Sequence, residues 1–198
     1  MKKRQLEIML ERLAQVKHRE PRLEQYQTPA RIAADVLWLA HASGEVEGRD
    51  VVDLGCGNGV FCIGAKLLGA RRAVGVDVDP ESIRTSSENS RALRLETEFV
   101  QSDIASFDGV FDLAIQNPPF GAQTRHADRV FVEKAIRTSP TVYSLHNDAT
   151  SEFVCRLAAS FGATSETVKR YKFEIPYAFE FHRKTRDVVS VVLLRFQR

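Results

Sequence analysis

The sequence predicts an α/β fold, a doubly wound and mostly parallel seven-stranded sheet with an antiparallel hairpin at its C-terminal edge. Three observations predict it. From Asp50 onward, short β-branched runs alternate with helical stretches, the pattern of parallel strands joined by crossover helices. A glycine-rich turn, Asp53-Leu54-Gly55-Cys56-Gly57-Asn58-Gly59, falls where the first run gives way to the first of those helices, and such folds bind ligands at the carboxyl ends of their strands. Thr167 to Ile175 and Val188 to Phe196 then read as two strands around a connection containing Pro176.

Residues 1–198 read as one domain, with an N-terminal helical segment over 1–44 and the α/β core over 50–198. Leu6, Leu10, Leu13 and Val16 recur at helical spacing with Glu7, Glu11 and Arg12 between them. That is unlike the apolar core of a signal peptide, so a cytoplasmic location is expected. Thr28 reads as a helix cap with Pro29 in the first turn, and Ile32, Ala33, Val36, Leu37 and Ala40 continue that helix toward the Gly44 to Gly48 loop. The core strands are expected over Val51 to Leu54, Ala73 to Val76, Glu98 to Gln101, Phe111 to Ile115 and Val142 to Leu145. The helices between them are expected over Val60 to Leu68, Pro80 to Leu93, Arg129 to Thr138 and Thr150 to Phe161.

Composition narrows the function. A chain of 198 residues with 43% apolar content can fill one core, and its apolar stretches fall far short of the ~20 residues that span a bilayer. Cys56, Cys62 and Cys155 are an odd count without metal-ligand spacing, which favours free thiols over a disulfide framework or a zinc site. The five histidines (His18, His41, His126, His146 and His182) show no metal spacing either. No strand-turn nucleophile suggests a hydrolase. The net charge is only +2, but Lys169 to Arg198 holds eight basic against three acidic residues and Met1 to Arg31 eight against four. The termini are thus basic and the centre acidic, an arrangement open to two readings: an anion-binding footprint or ordinary solvated charge.

The glycine turn reads as a binding loop whose glycines permit a tight bend and close approach to the backbone. Its G-x-G-x-G spacing and the preceding Asp53 differ from a dinucleotide loop, because a carboxylate there suits a cation better than a pyrophosphate. S-adenosylmethionine is such a cation, carrying an ammonium and a sulfonium and no phosphate. Asp77, at the end of the second strand, stands where a carboxylate accepts from ribose hydroxyls, with Val78 and Asp79 beside it. Asp103 and Ile104, just past the third strand, are placed to meet an adenine. Asn117-Pro118-Pro119-Phe120 follows the fourth strand, next to the first. A planar exocyclic amine is a poor nucleophile, and the Asn117 amide oxygen and Pro118 carbonyl can accept its two hydrogens and aim its lone pair. Pro119 stiffens the loop, and the Phe120 ring offers a stacking face for a base. No metal is needed.

With these residues in view, the chain resembles the small-subunit ribosomal RNA adenine-N6 methyltransferases of archaea and eukaryotes, a family of Rossmann-like class I enzymes. The likeness runs through Leu23-Glu24-Gln25-Tyr26-Gln27-Thr28-Pro29, the glycine turn, Asn117-Pro118-Pro119-Phe120-Gly121, Val142-Tyr143-Ser144-Leu145-His146 and Phe181-His182-Arg183-Lys184. It implies S-adenosylmethionine as cofactor, Gln25, Tyr26 and Thr28 closing over it, and His182, Arg183 and Lys184 near the RNA. It also implies a partner, a small zinc-containing methyltransferase activator that adds a strand at Glu98 to Gln101, near Phe99. Gln27 departs from the pattern, standing where animal members are expected to carry proline. Two other readings stay open: methylation of a glutamine amide in a release factor, and a non-catalytic cofactor-binding subunit.

Overall fold

A computed structural model describes residues 1–17, 27–119, 127–176 and 186–198. Helices α1 (Lys3–Glu11) and α2 (Ala30–Ala42) lead into β1 (Asp50–Leu54), α3 (Val60–Leu67), β2 (Arg72–Asp77), α4 (Pro80–Ala92) and β3 (Glu98–Gln101). After them come β4 (Leu113–Gln116), α5 (Ala127–Thr138), β5 (Thr141–Asn147), α6 (Ser151–Ser160), β6 (Thr164–Pro176) and β7 (Arg186–Gln197). The described strands form a seven-stranded sheet in the order β3-β2-β1-β4-β5-β7-β6. Pairing is parallel as far as β5 and antiparallel at β7 and β6.

Successive strand side chains point to opposite faces, and a sheet covered on both faces carries near-continuous apolar strands. Val51, Leu113, Ile115, Leu145 and Leu193 accordingly pack under α1, α2 and α3, while Val52, Leu54, Ala114, Val142 and Leu194 pack under α5 and α6. The fourth strand begins at Leu113 and not at Phe111, because Phe111 already turns its ring into the second layer, stacked 6.1 Å from Phe107.

Two helix ends differ from the sequence expectation because side chains from distant elements engage the residues there. The spacing of Leu13 and Val16 continues α1, yet the helix stops at Glu11. The Ala14 N–H donates to Asn89 Oδ1 (2.8 Å), and the Ala14 carbonyl accepts from Asn58 and Asn89 (3.2 and 3.1 Å). Thr28 does not cap α2 either: the cap position is Pro29, without a side-chain bond.

Several of the terminal basic side chains are ion-paired with carboxylates on other elements. Asp35 on α2 is buried and takes Lys3 from α1 together with Lys169 (2.5 Å) and the Tyr171 hydroxyl (2.9 Å) from β6. Burial pushes that carboxyl up, but its bonds to Lys169, Lys3 and Tyr171 outweigh it and hold the pKa below the ordinary value. Arg195 pairs with Glu45, which also accepts from the Tyr143 hydroxyl (2.8 Å), and Arg170 pairs with Asp148. Of the basic C-terminal side chains described, Lys169, Arg170, Lys172 and Arg198 are exposed, whereas Arg195 is largely covered. Among the described residues no helix is long and apolar enough to cross a membrane, and no His, Cys, Asp or Glu cluster is arranged to hold a metal.

β3 is one edge of the sheet, as expected, but Phe99 does not face outward from it. A Cβ built on Gly75 of β2 would lie 2.7 Å from Phe99 Cδ1 and 3.0 Å from Cys56 Cβ, so the ring fills the space that this glycine leaves. Overpacking of that kind costs roughly 1–3 kcal/mol. Gly75→Ala is therefore expected to lower unfolding free energy by about that amount in a denaturant titration, with Phe99→Ala in the same background recovering part of the loss.

Candidate active site

The site is set by sheet register. Leu54, the last residue of β1, pairs with Val76 on one side and Gln116 on the other. Asp77 and Asn117 therefore flank Gly55, one position beyond the pairing, and two strand spacings separate them by roughly 10 Å. Between them runs the glycine turn. Gly55, Gly57 and Gly59 have φ of 75, 52 and 82°, left-handed values that residues with a Cβ rarely adopt. The Gly55 and Cys56 amides donate to the Val76 carbonyl (2.8 and 2.9 Å), which fastens the turn to the end of β2.

The predicted cofactor residues divide into those that face the turn and those that brace it. Asp53 is 1% exposed; its Oδ2 accepts from the Cys62 amide (3.2 Å), and Oδ1 is buried without a hydrogen-bond partner among the described residues. Burial raises its pKa to about 8, lowered somewhat by the backbone bonds and raised again by the Asp77 charge. Asp77 is also raised by burial, although it accepts from the Gly57 and Asp79 amides (2.9 and 3.0 Å). Two acidic groups starved of water beside one loop favour a cation and disfavour a phosphate. An orphaned carboxylate oxygen of this kind fits a methyl donor bearing an ammonium and a sulfonium. Val78, 45% exposed, and the buried Ile104 lie past the ends of β2 and β3, and the exposed Asp103 uses Oδ1 to accept from the Ala105 amide (2.7 Å).

Asp79 and Asn58 are placed differently from the expectation. Asp79 caps α4, accepting from the Glu81 and Ser82 amides and the Ser82 hydroxyl (3.1, 3.1 and 2.8 Å), so its carboxylate braces the helix behind Asp77. The Asn58 side chain turns to the Ala14 carbonyl, leaving its backbone in the turn. Burial lifts the Cys56 and Cys62 thiols well above their usual range, which keeps both protonated.

Sequence reasoning missed Asn89. This α4 residue is 5% exposed and clasps both Ala14 and the Asn58 carbonyl (3.0 Å), joining the N-terminal segment to the turn. Its signal was present: the inward positions of α4 are Ser82, Thr85, Ser86, Asn89 and Ser90, a polar stripe at helical spacing where an aliphatic one is usual. Small side chains let α4 approach the turn, and a Cβ on Gly59 would come within 3.0 Å of Ser86 Cβ.

Asn117 and Pro118 stand at the end of β4, with Pro118 buried and Pro119 partly so. The Asn117 Nδ2 donates to Thr28 Oγ1 (3.0 Å), across 89 residues of sequence. This contact explains why Thr28 does not cap α2. In this arrangement the amide nitrogen faces Thr28 and its oxygen turns the other way. Gln25, Tyr26, Phe120, His182, Arg183 and Lys184 lie outside the described residues.

A glycine turn, a carboxylate at the end of the second strand and an Asn-Pro-Pro loop at the end of the fourth, on this strand order, define a class I methyltransferase. The chain belongs to the family described as the methyltransferase small domain, whose model matches residues 33–175. It is 39% identical to an uncharacterised protein of Methanocaldococcus jannaschii over 100% of this chain and 95% of that one. It is 31% identical to the rRNA N(6)-adenosine-methyltransferase METTL5 of Danio rerio, with 99% of each chain covered. A solved structure from Pyrococcus horikoshii, described as a candidate RNA methyltransferase, superposes with a TM-score of 0.93 at 38% identity over 100% of this chain and 98% of that one.

Two outcomes test this geometry. Because the Asp53 pKa is raised in the fold, its contribution to stability is present below about pH 4 and is lost as pH rises through about 8. Denaturant titrations of the ligand-free protein should show stability falling over that window, and Asp53→Asn should flatten the fall. Thr28→Val removes the acceptor that orients Asn117; turnover should drop about 10-fold or more in steady-state assays and Thr28→Ser should restore most of it.

Proposed function

We propose that this protein transfers a methyl group from S-adenosylmethionine to the N6 amine of an adenosine in small-subunit ribosomal RNA. The observation that carries the proposal is the Asn117 amide, set by Thr28 with its oxygen turned away from that hydroxyl, at the end of the strand beside the glycine turn. Full-length relationship to METTL5 supports the choice of acceptor.

S-adenosylmethionine, when bound, supplies an electrophilic methyl on a sulfonium. Around it, Asp77 accepts from ribose hydroxyls, Val78 and Ile104 provide apolar contact for the adenine, and Asp103 accepts from the adenine amine. The glycine turn and the buried Asp53 receive the cationic end, with Gln25, Tyr26 and Thr28 on the closing side. On the acceptor side, the Asn117 oxygen and the Pro118 carbonyl would accept hydrogen bonds from the two amine hydrogens, drawing the nitrogen lone pair out of the ring plane; the one proton the amine loses on methylation passes to water. Pro119 limits the loop's freedom and Phe120 stacks on the base. Positioning, without a covalent intermediate, supplies the catalysis.

For the RNA, the β6–β7 ribbon is the element to consider. Pairing of β7 with β5 ends at Val191, yet its pairing with β6 continues to Arg186. The ribbon thus projects past the strand ends that carry Asn117, with exposed Lys172 on it and His182, Arg183 and Lys184 in the connection. An activator protein adding a strand to β3 would meet Glu98, Val100 and Gln101, the exposed residues of that strand, with Phe99 turned to the interior.

The deciding assay is transfer of labelled methyl into small-subunit ribosomal RNA from a strain lacking this gene, with nucleoside mass spectrometry. The expected product is N6-methyladenosine. Asn117→Ala should keep donor affinity within a few-fold and lose about 10²-fold or more in turnover. Label in a release-factor glutamine and none in RNA would overturn the acceptor assignment.

A further inference from the structure

The layer between the sheet and helices α5 and α6 is apolar except along one line. Gln116 on β4 pairs with Ser144 on β5, and His146 follows two residues later on the same face. Gln116 and Ser144 are 0% exposed and His146 is 2%. Gln116 Nε2 donates to Ser144 Oγ (3.0 Å), and that hydroxyl lies 2.6 Å from His146 Nε2. Burial drives the His146 pKa down to about 3, so the ring is neutral. Directions along the chain are then forced. An amide nitrogen only donates, so Ser144 accepts from Gln116, gives its one proton to His146 Nε2, and leaves the imidazole proton on Nδ1.

This line is a poor way to stabilise a core. Gln116 Oε1 is buried with no hydrogen-bond partner among the described residues, and a partly satisfied polar network is less favourable than apolar side chains of the same shape. Elements that violate folding rules cluster at functional places. The place here is specific, since Gln116 is the last residue of β4 and the next residue is Asn117. Thr28 fixes Asn117 from the α2 side, and the network fixes the preceding residue from the opposite face of the sheet.

We propose that Gln116, Ser144 and His146 are positioning residues for methyl transfer, a buried hydrogen-bond chain that holds the end of β4 so that the Asn117 oxygen and Pro118 carbonyl keep their direction. The proposal rests on the acceptor chemistry assigned above to Asn117. It also gives a use to the Tyr143-Ser144-Leu145-His146 motif, which the donor and acceptor sites leave unexplained.

The test replaces the chain by apolar groups and reads activity and stability separately. Gln116→Met and Ser144→Ala should each lower kcat about 10-fold, with donor Kd by calorimetry within two-fold of the parent and a melting temperature equal or higher. The double variant should lose no more than either single, because the residues act as one unit. Unchanged kcat in both singles would overturn the proposal, as would a loss of activity that merely follows a lowered melting temperature. Should Ser144→Ala fail to fold, Gln116→Met alone carries the same comparison. Asn117→Ala run alongside separates the two ideas: its retained turnover would remove the acceptor chemistry itself, whereas an inactive Asn117→Ala beside a fully active Gln116→Met removes only the network.

Discussion

The whole site depends on β1 being paired on both sides in one register. Leu54 between Val76 and Gln116 sets the glycine turn between Asp77, on the side proposed for the donor, and the Asn-Pro-Pro loop, on the side proposed for the acceptor. That register cannot slip by one residue, because side chains alternate between faces and a slip would move Val51, Val52 and Leu54 into the wrong layers. A constraint imposed by the aliphatic interior therefore fixes the distance between two polar chemistries. Neither half of the site has to recognise the other directly.

The polar groups around that frame do structural and chemical tasks at once. Asn89 and Asn58 bring the Ala14 backbone to the donor side, and Thr28 brings the start of α2 to the acceptor side. The N-terminal segment thus touches both halves from either end of residues 18–26. Asp53 and Asp77 are held at raised pKa values by burial, which destabilises the protein without ligand and favours a cationic one.

The fold was legible because periodicity is a local property. The apolar residues Val51, Val52 and Leu54, Val142 and Leu145, and the apolar spacing of Ile32 to Ala40 report their own burial. The chemical motifs were legible for the same reason, since Asp53 to Gly59 and Asn117 to Pro119 are each contiguous. What could not be read were the meetings of distant residues. Thr28 had an ordinary local use as a helix cap, and only the arrival of Asn117 in space takes its hydroxyl elsewhere. Asp79 next to Asp77 invited a shared role, but a residue preceding Pro80 and followed three places later by Ser82's amide is a helix cap. Phe99 on an edge strand suggested a partner's contact, whereas the missing side chain of Gly75 draws its ring inward. Charge counting could not show that, at the C-terminal end, Lys169, Arg170 and Arg195 pair with carboxylates on other elements.

The position of β7 has a consequence for how the molecule comes into being. It is made after the other six strands, yet it lies between β5 and β6 and not at the rim. Until it is available, β5 has an open, apolar edge and β6 has nothing to pair with, so the acceptor side of the sheet is assembled from residues that leave the ribosome more than forty positions apart. A nascent chain in that state resembles a sheet with a missing slat, open to pairing with any other extended segment nearby. Completion of the acceptor site and protection from self-association are the same event.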